Sequence, residues 1–202
     1  MNILVINGSP KGKNSITVQT VKYLERIFTA HSFSYLNVGA NIRAIENDFS
    51  GASNMLALAD AILFAYPVYT FIAPSQLHKF IELTKASGVD LSGKFATQIT
   101  TSKHFYDVTA HKYIEENCLD MGLKYVKGLS ADMNDLLTEK GRLEAEEFFY
   151  FFEHSVRNDI YTRPKLSSAS YTPSVPTELS YQAAEKDRRY DTVIITDTLD
   201  DT

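Results

Sequence analysis

Tryptophan is absent from the 202 residues, and cysteine occurs once, at Cys118. A lone thiol excludes an internal disulfide, and with it a thiolate-only metal cluster, which needs several such ligands. No apolar run approaches the ~20 residues of a membrane span, and the amino terminus shows no signal-peptide pattern. The expectation is a soluble cytoplasmic protein with no membrane partner. An excess of positive charge is missing too: the net charge of -5 argues against nucleic acid, whose binders present a basic face. The length suits one domain with a substantial core, and no internal repeat is visible.

What is present alternates. Asn2 to Asn7 is a short apolar run ended by Gly8, the mark of a strand buried on both faces. Val18, Val21, Leu24 and Phe28 then recur at helical spacing, which predicts a helix over roughly 15–30. A second strand is expected at 33–38, a loop at 40–50 and a short helix after it. The run 61–69 is a third strand, broken at Pro67, and Pro74 opens a helix faced by Leu77, Phe80, Ile81 and Thr84. A fourth strand over 94–101, a helix from Thr109 to Met121, a fifth strand over 124–130 and a Phe-rich helix from Thr138 to about Arg163 complete the series. Five strand–helix alternations call for an α/β fold, a parallel sheet covered by helices on both faces.

From Pro164 the texture changes to Pro, Ser, Thr and Tyr without a period, so residues 1–163 are read as the domain and 164–202 as an extended arm. The arm ends in a strand-like run, Thr192 to Thr196. Two readings stay open for it: pairing with a sheet edge, or the first strand of a second α/β unit.

The bend after the first strand, GSPKGKNSIT, leads straight into a helix amino terminus. Unpaired N–H groups and the positive end of the helix dipole make such a terminus an anion site. Ser9, Asn14, Ser15 and Thr17 add side-chain donors of the kind a phosphate uses. The bend is not a nucleoside-triphosphatase loop, because Gly8 and Gly12 have three residues between them rather than four and Asn14 follows Lys13. It lacks the dinucleotide G-x-G-x-x-G as well. A second stretch, AYPVYTFIAPSQLHKFIEL, places a Pro-Val-Tyr turn after the third strand, with Tyr69 and Phe71 offering aromatic faces.

Together, NGSPKGKNSIT and, ~50 residues on, PVYTFIAPSQLHKFIE resemble the flavodoxin-like NAD(P)H-dependent FMN reductase and quinone reductase family, over about residues 1–160. The resemblance implies a doubly wound five-stranded parallel sheet of order 2-1-3-4-5 with FMN at the carboxyl ends of its strands. It implies that Ser9, Asn14, Ser15, Ile16 and Thr17 surround the FMN phosphate, with Lys11 supplying charge. Pro67, Val68, Tyr69 and Thr70 would flank the isoalloxazine, and Thr101, Ser102, His104 and Tyr106 would complete the pocket. It further implies hydride transfer from NAD(P)H through FMN to a small acceptor such as a quinone or flavin, with no side chain required as acid or base, and a homodimer. An iron-sulfur branch of these flavoproteins is excluded by the missing cysteines. The competing reading is a flavodoxin-type electron carrier without its own NAD(P)H turnover, although carriers are commonly far more acidic than -5.

Lys103 to His111 holds two imidazoles, a phenol and a carboxylate, yet the spacing of His104 and His111 gives no converging metal set. The plain expectation is that Asp107 or Thr109 caps the following helix, that His111 lies on its surface, and that Cys118 is a small buried hydrophobe.

Overall fold

A computed structural model of the chain describes residues 1–102 and 105–163. The proposed arm and His104 lie outside them. The sheet is built from β1 (Asn2–Asn7), β2 (Ser32–Leu36), β3 (Ala61–Pro67), β4 (Phe95–Ser102), β5 (Lys124–Tyr125) and β6 (Leu129–Asp132). The helices are α1 (Ile16–Ile27), α2 (Val38–Asn47), α3 (Ser50–Leu58), α4 (Ser75–Ser87), α5 (Val108–Asp120) and α6 (Glu139–Arg157). All named strand pairs are parallel, in the order β2-β1-β3-β4-β5, with β6 also on β4. This is the flavodoxin-like, doubly wound order. No described helix is long and apolar enough to cross a membrane.

β1 and β3 are continuous apolar runs because both faces are covered, and β4 is buried as fully although Thr and Gln recur along it. Along β1, Leu4 and Ile6 face one core with Ile62, Phe64, Leu77, Phe80 and Ile114. Ile3 and Val5 face the other with Leu63, Leu24, Phe149 and Phe152. Alternation of side chains along a strand produces this division. Each such large side chain contributes roughly 1.5–3 kcal/mol through burial. The helical faces read from spacing are buried as expected: Val18, Val21, Leu24 and Phe28, then Leu77, Phe80, Ile81 and Thr84. Cys118 is fully buried.

Three elements differ from the sequence reading. Residues 40–50 are not a loop: α2 fills most of the stretch, with non-helical backbone at Asn41. Gly39 and two asparagines lower its helix propensity, but Val38 and Ile45 bury one face against the sheet. The fifth strand is broken. Tyr125 pairs with Ala96 and Leu129 with Ile99, so the outer strand carries one residue more than β4 between those pairs, a bulge. Gly128 sits in it, where a Cβ would lie 2.4 Å from the Gln98 carbonyl oxygen. Finally, α6 stops at Arg157, and the chain folds back to form an antiparallel bridge from Thr162 to Tyr125.

A buried amide ties three strands together. The Tyr66 hydroxyl on β3 donates to Gln98 Oε1 on β4 at 2.5 Å, and Gln98 Nε2 donates to the Tyr125 hydroxyl on β5 and to the His111 carbonyl at 3.0 Å.

Candidate functional site: a cleft at the carboxyl ends of the strands

β1 ends at Asn7, and the chain turns over the sheet's upper edge. The Ser9 N–H donates to Asn7 Oδ1 at 3.0 Å, while Asn7 Nδ2 donates to Asn37 Oδ1 at 2.9 Å. A short 3-10 turn, Gly12–Asn14, follows, with Gly12 at a φ of 54°. α1 then begins behind Ser15, which is 3% exposed and whose side chain makes no capping bond. The first N–H groups of α1 therefore keep the donor capacity that a helix start always has in excess. Gly39 of α2 packs against this bend: a Cβ there would lie 2.3 Å from the Ser9 carbonyl.

The second wall follows β3. Val68 N–H donates to the Thr101 carbonyl at 3.1 Å, so the chain past Pro67 stays pinned to the end of β4. Tyr69 and Ile72 exchange backbone hydrogen bonds around Thr70 and Phe71, whose φ values are 50° and 71°. Two positive φ values in a two-residue turn define the I′ class, which favours Asn and Gly; here a β-branched residue and an aromatic occupy it. Phe71 meets Tyr106 from the third wall at 5.3 Å between ring centroids. At the floor, the hydroxyls of Thr17 on α1 and Thr101 on β4 are 2.7 Å apart.

These walls enclose a cleft of about 390 Å³. From the bend it is lined by Ser9, Lys11, Asn14, Ser15, Ile16 and Thr17. From the other two walls come Pro67, Val68, Tyr69, Thr70, Thr101, Ser102 and Tyr106. Every candidate site residue within the described part of the chain thus lies around one space. Met133 also lines it and went unnoticed in the sequence, because it follows a strand whose break could not be read. Phe71, noted only as an aromatic face, is a lining residue. Asn37 and Gly39 support the bend without having been singled out in the sequence, where Asn37 falls in the expected strand 33–38 and Gly39 just before the expected loop.

The position of this cleft, outside the carboxyl ends of parallel strands, is where doubly wound sheets bind ligands. Residues 1–134 match the model of a family described as having the flavodoxin-like fold. The chain belongs to that family. Among solved structures, an NADH:FMN oxidoreductase in its apo form resembles this flavodoxin-like chain at 20% identity and a TM-score of 0.62, covering 76% of this chain and 89% of its own. An NADPH-quinone reductase from P. pentosaceus is 17% identical, TM-score 0.56, over 74% of this chain and 97% of its own. A flavodoxin from Pseudomonas aeruginosa, carrying a cysteine substitution, is 13% identical, TM-score 0.54, over 78% and 99%. At these identities the likeness is one of fold. No curated protein gives a match.

The flavodoxin-like cleft is graded in character: hydroxyls and helix N–H groups at the α1 end, aromatic rings at the other. Tyr69, Phe71 and Tyr106 are all exposed. Among the described residues, no group of three or more His, Cys, Asp or Glu side chains is placed to hold a metal ion.

Proposed function

We propose that this chain is an FMN-dependent oxidoreductase that takes a hydride from NAD(P)H and passes the electrons to a small acceptor such as a quinone or a free flavin. The observation that carries the reading is the gradient within one cleft. An uncapped helix start with Ser9, Ser15 and Thr17 suits a phosphate monoester, and the exposed rings of Tyr69, Phe71 and Tyr106 suit a planar aromatic system. Its volume falls within the range of cofactor sites.

The donor set fits FMN. Ser15, Ile16 and Thr17 would hold the phosphate through hydroxyls and the α1 backbone, and Lys11 would add charge. The segment Pro67 to Thr70 would position the ring, with Thr101, Ser102 and Tyr106 closing the far side. When bound, FMN supplies the capacity to accept a hydride and release its electrons to a second substrate. This chain's contribution is to fix the phosphate, present one ring face at an open mouth, and line that mouth with aromatic surface on which nicotinamide and then the acceptor would rest. Neighbours named as NADH:FMN oxidoreductase and NADPH-quinone reductase are compatible with this reading, a flavodoxin stands among them for the carrier, and the modest net charge favours the reductase. A homodimer covering the apolar rim of Tyr69, Phe71, Ile72 and Met133 belongs to the same proposal.

Ser15→Glu tests the cofactor. A carboxylate at the helix start is favourable to α1 and has the cleft to extend into, so repulsion of the phosphate abolishes FMN binding, with an unchanged denaturant midpoint separating this from unfolding. Full flavin retention in Ser15→Glu would sink the assignment. In the unaltered protein with FMN under anaerobic conditions, NADH or NADPH bleaches the flavin band within seconds; a bound flavin that stays oxidised supports the electron carrier instead.

A further inference from the structure

Negative charge is kept out of the cleft. Among the described residues that line it, Lys11 is the one charged side chain and none is a carboxylic acid. Two acids adjoin lining residues in sequence, and both are engaged elsewhere. Asp132, before Met133, accepts the Asn134 N–H at 3.2 Å. Asp107, after Tyr106, accepts from the Thr100 hydroxyl at 2.7 Å, and His111 Nε2 lies 2.8 Å from the same hydroxyl. Thr100 points away from the cleft floor that its neighbour Thr101 reaches, as alternation along β4 requires. Both plain expectations for this segment are thereby overturned. Asp107 stands at the N-cap position of α5 without making a capping bond, and His111 is not a surface residue, its side chain being 19% exposed.

Asn7 is the position where an amide and an acid would serve the fold equally. It ends β1, is fully buried, and lies beneath the bend without lining the cleft. The Ser9 N–H can only donate, so the Asn7 oxygen faces it, at 3.0 Å. The Asn7 nitrogen then donates to Asn37 Oδ1 at 2.9 Å, just ahead of α2. With its N–H held inward, Ser9 presents its hydroxyl to the cleft. That oxygen accepts the Lys11 N–H at 3.3 Å, a bond that leaves the hydroxyl proton unused. Aspartate has the shape of asparagine and accepts the same N–H, and Asn37 can turn its amide to donate to it. What the amide supplies over the acid is neutrality on the buried side of the bend.

We infer that Asn7 is a positioning residue that sets the anion preference of the cleft: it aims Ser9 at a bound phosphate and keeps the buried side of the bend uncharged, while Asn37 fixes which way its amide faces. Where the phosphate is that of FMN, the inference rests on the function proposed above. A phosphate monoester carries close to two negative charges near neutral pH. A charge at position 7 would act on it through buried protein, where salt screens little, and would oppose the attraction of Lys11 and the α1 dipole. The same charge has no counterpart to repel in an uncharged flavin.

Three ligands separate charge from structure: FMN, riboflavin, which lacks the phosphate, and inorganic phosphate. At about pH 8 the carboxylate of Asn7→Asp is ionised, since the Ser9 N–H and the Asn37 amide both favour its charged form. By titration calorimetry Asn7→Asp loses about tenfold or more in FMN affinity and holds riboflavin within about twofold. Inorganic phosphate shifts the amide resonances of Ser9, Ile16 and Thr17 in the unaltered protein and leaves them unmoved in the variant. Asn37→Asp keeps the Asn7 amide and places the charge at the start of α2, where the helix favours it. Its FMN affinity falls several-fold, less than in Asn7→Asp, with riboflavin again unchanged, so the test stands even where Asn7→Asp fails to fold. Asn47→Asp, at the far end of α2, controls for net charge and alters none of the three. Equal losses of FMN and riboflavin in the two test variants mark a merely structural role and overturn the inference. A protein that binds inorganic phosphate, loses it in Asn7→Asp, and takes up neither flavin refutes the proposed function and leaves the inference standing. FMN binding that neither Asn7→Asp nor Asn37→Asp weakens refutes the inference alone, and binding of none of the three ligands overturns both.

Discussion

At the scale of single residues, the turn Tyr69–Ile72 carries the clearest local strain. Thr70 and Phe71 both sit at positive φ without being glycine, a conformation that costs a β-branched or bulky residue of the order of 1–3 kcal/mol. Thr70→Gly relieves part of it and raises the unfolding free energy by about 1 kcal/mol, after the greater freedom of glycine in the unfolded chain is set against the gain. A denaturant midpoint that falls in this variant would show the turn to be unstrained. The sequence places a Pro-Val-Tyr turn here but does not mark its tight form around Thr70 and Phe71, because the Asn-Gly pair that usually announces it is missing. The donors of the bend were legible for the opposite reason. Ser9, Asn14, Ser15 and Thr17 follow an apolar run and lead into the first turn of a helix, so composition and position agree.

At the scale of elements, α2 was hidden and matters most to the site. Its Gly39 touches the backbone of Ser9, and Asn37 just before it holds Asn7. Gly39→Ala forces the bend outward at a cost of about 1–3 kcal/mol, the range of an overpacked contact, and weakens FMN binding. Gly51→Ala is the matched control: a Cβ there meets nothing within 4 Å, so it stabilises α3 by up to about 1 kcal/mol and leaves FMN affinity unchanged. Calorimetry of the two variants with and without FMN separates these outcomes. The strands β1 and β3 could be read because burial on both faces leaves an uninterrupted apolar signature, whereas β4 is buried as fully but carries threonines and a glutamine. The break between β5 and β6 could not, since a single extra residue alters pairing without altering composition. The α2 face at Val38, Ile42 and Ile45 was periodic, but its asparagines and glycine spoke louder as loop than its spacing did as helix.

For the whole molecule, acid weakens the fold through two histidines. Burial and the neighbouring Met1 amine lower the affinity of His31 for a proton, against the opposing pull of Glu153. Burial lowers that of His111. Between the ordinary value near 6.5 and the lower native values, the unfolded chain binds more protons than the folded one, so stability falls as pH falls through that window. Denaturant midpoints at about pH 7.5 and 5.5 show the drop, and His31→Gln combined with His111→Gln flattens it; a native protein that gains stability on acidification contradicts the assignment. The amide of Gln98 has a different consequence for the whole sheet. Apolar parallel strands are nearly interchangeable with themselves after a shift of two residues, since the same faces stay buried. One side chain whose oxygen needs the Tyr66 hydroxyl and whose nitrogen needs Tyr125 removes that freedom. A slipped strand leaves those groups buried and unanswered, each costing about 1–3 kcal/mol. Gln98 thus favours a single register: exchanged for leucine it would fill the space but leave the Tyr125 hydroxyl and the His111 carbonyl without its amide, and a slipped strand would no longer be penalised relative to the native pairing.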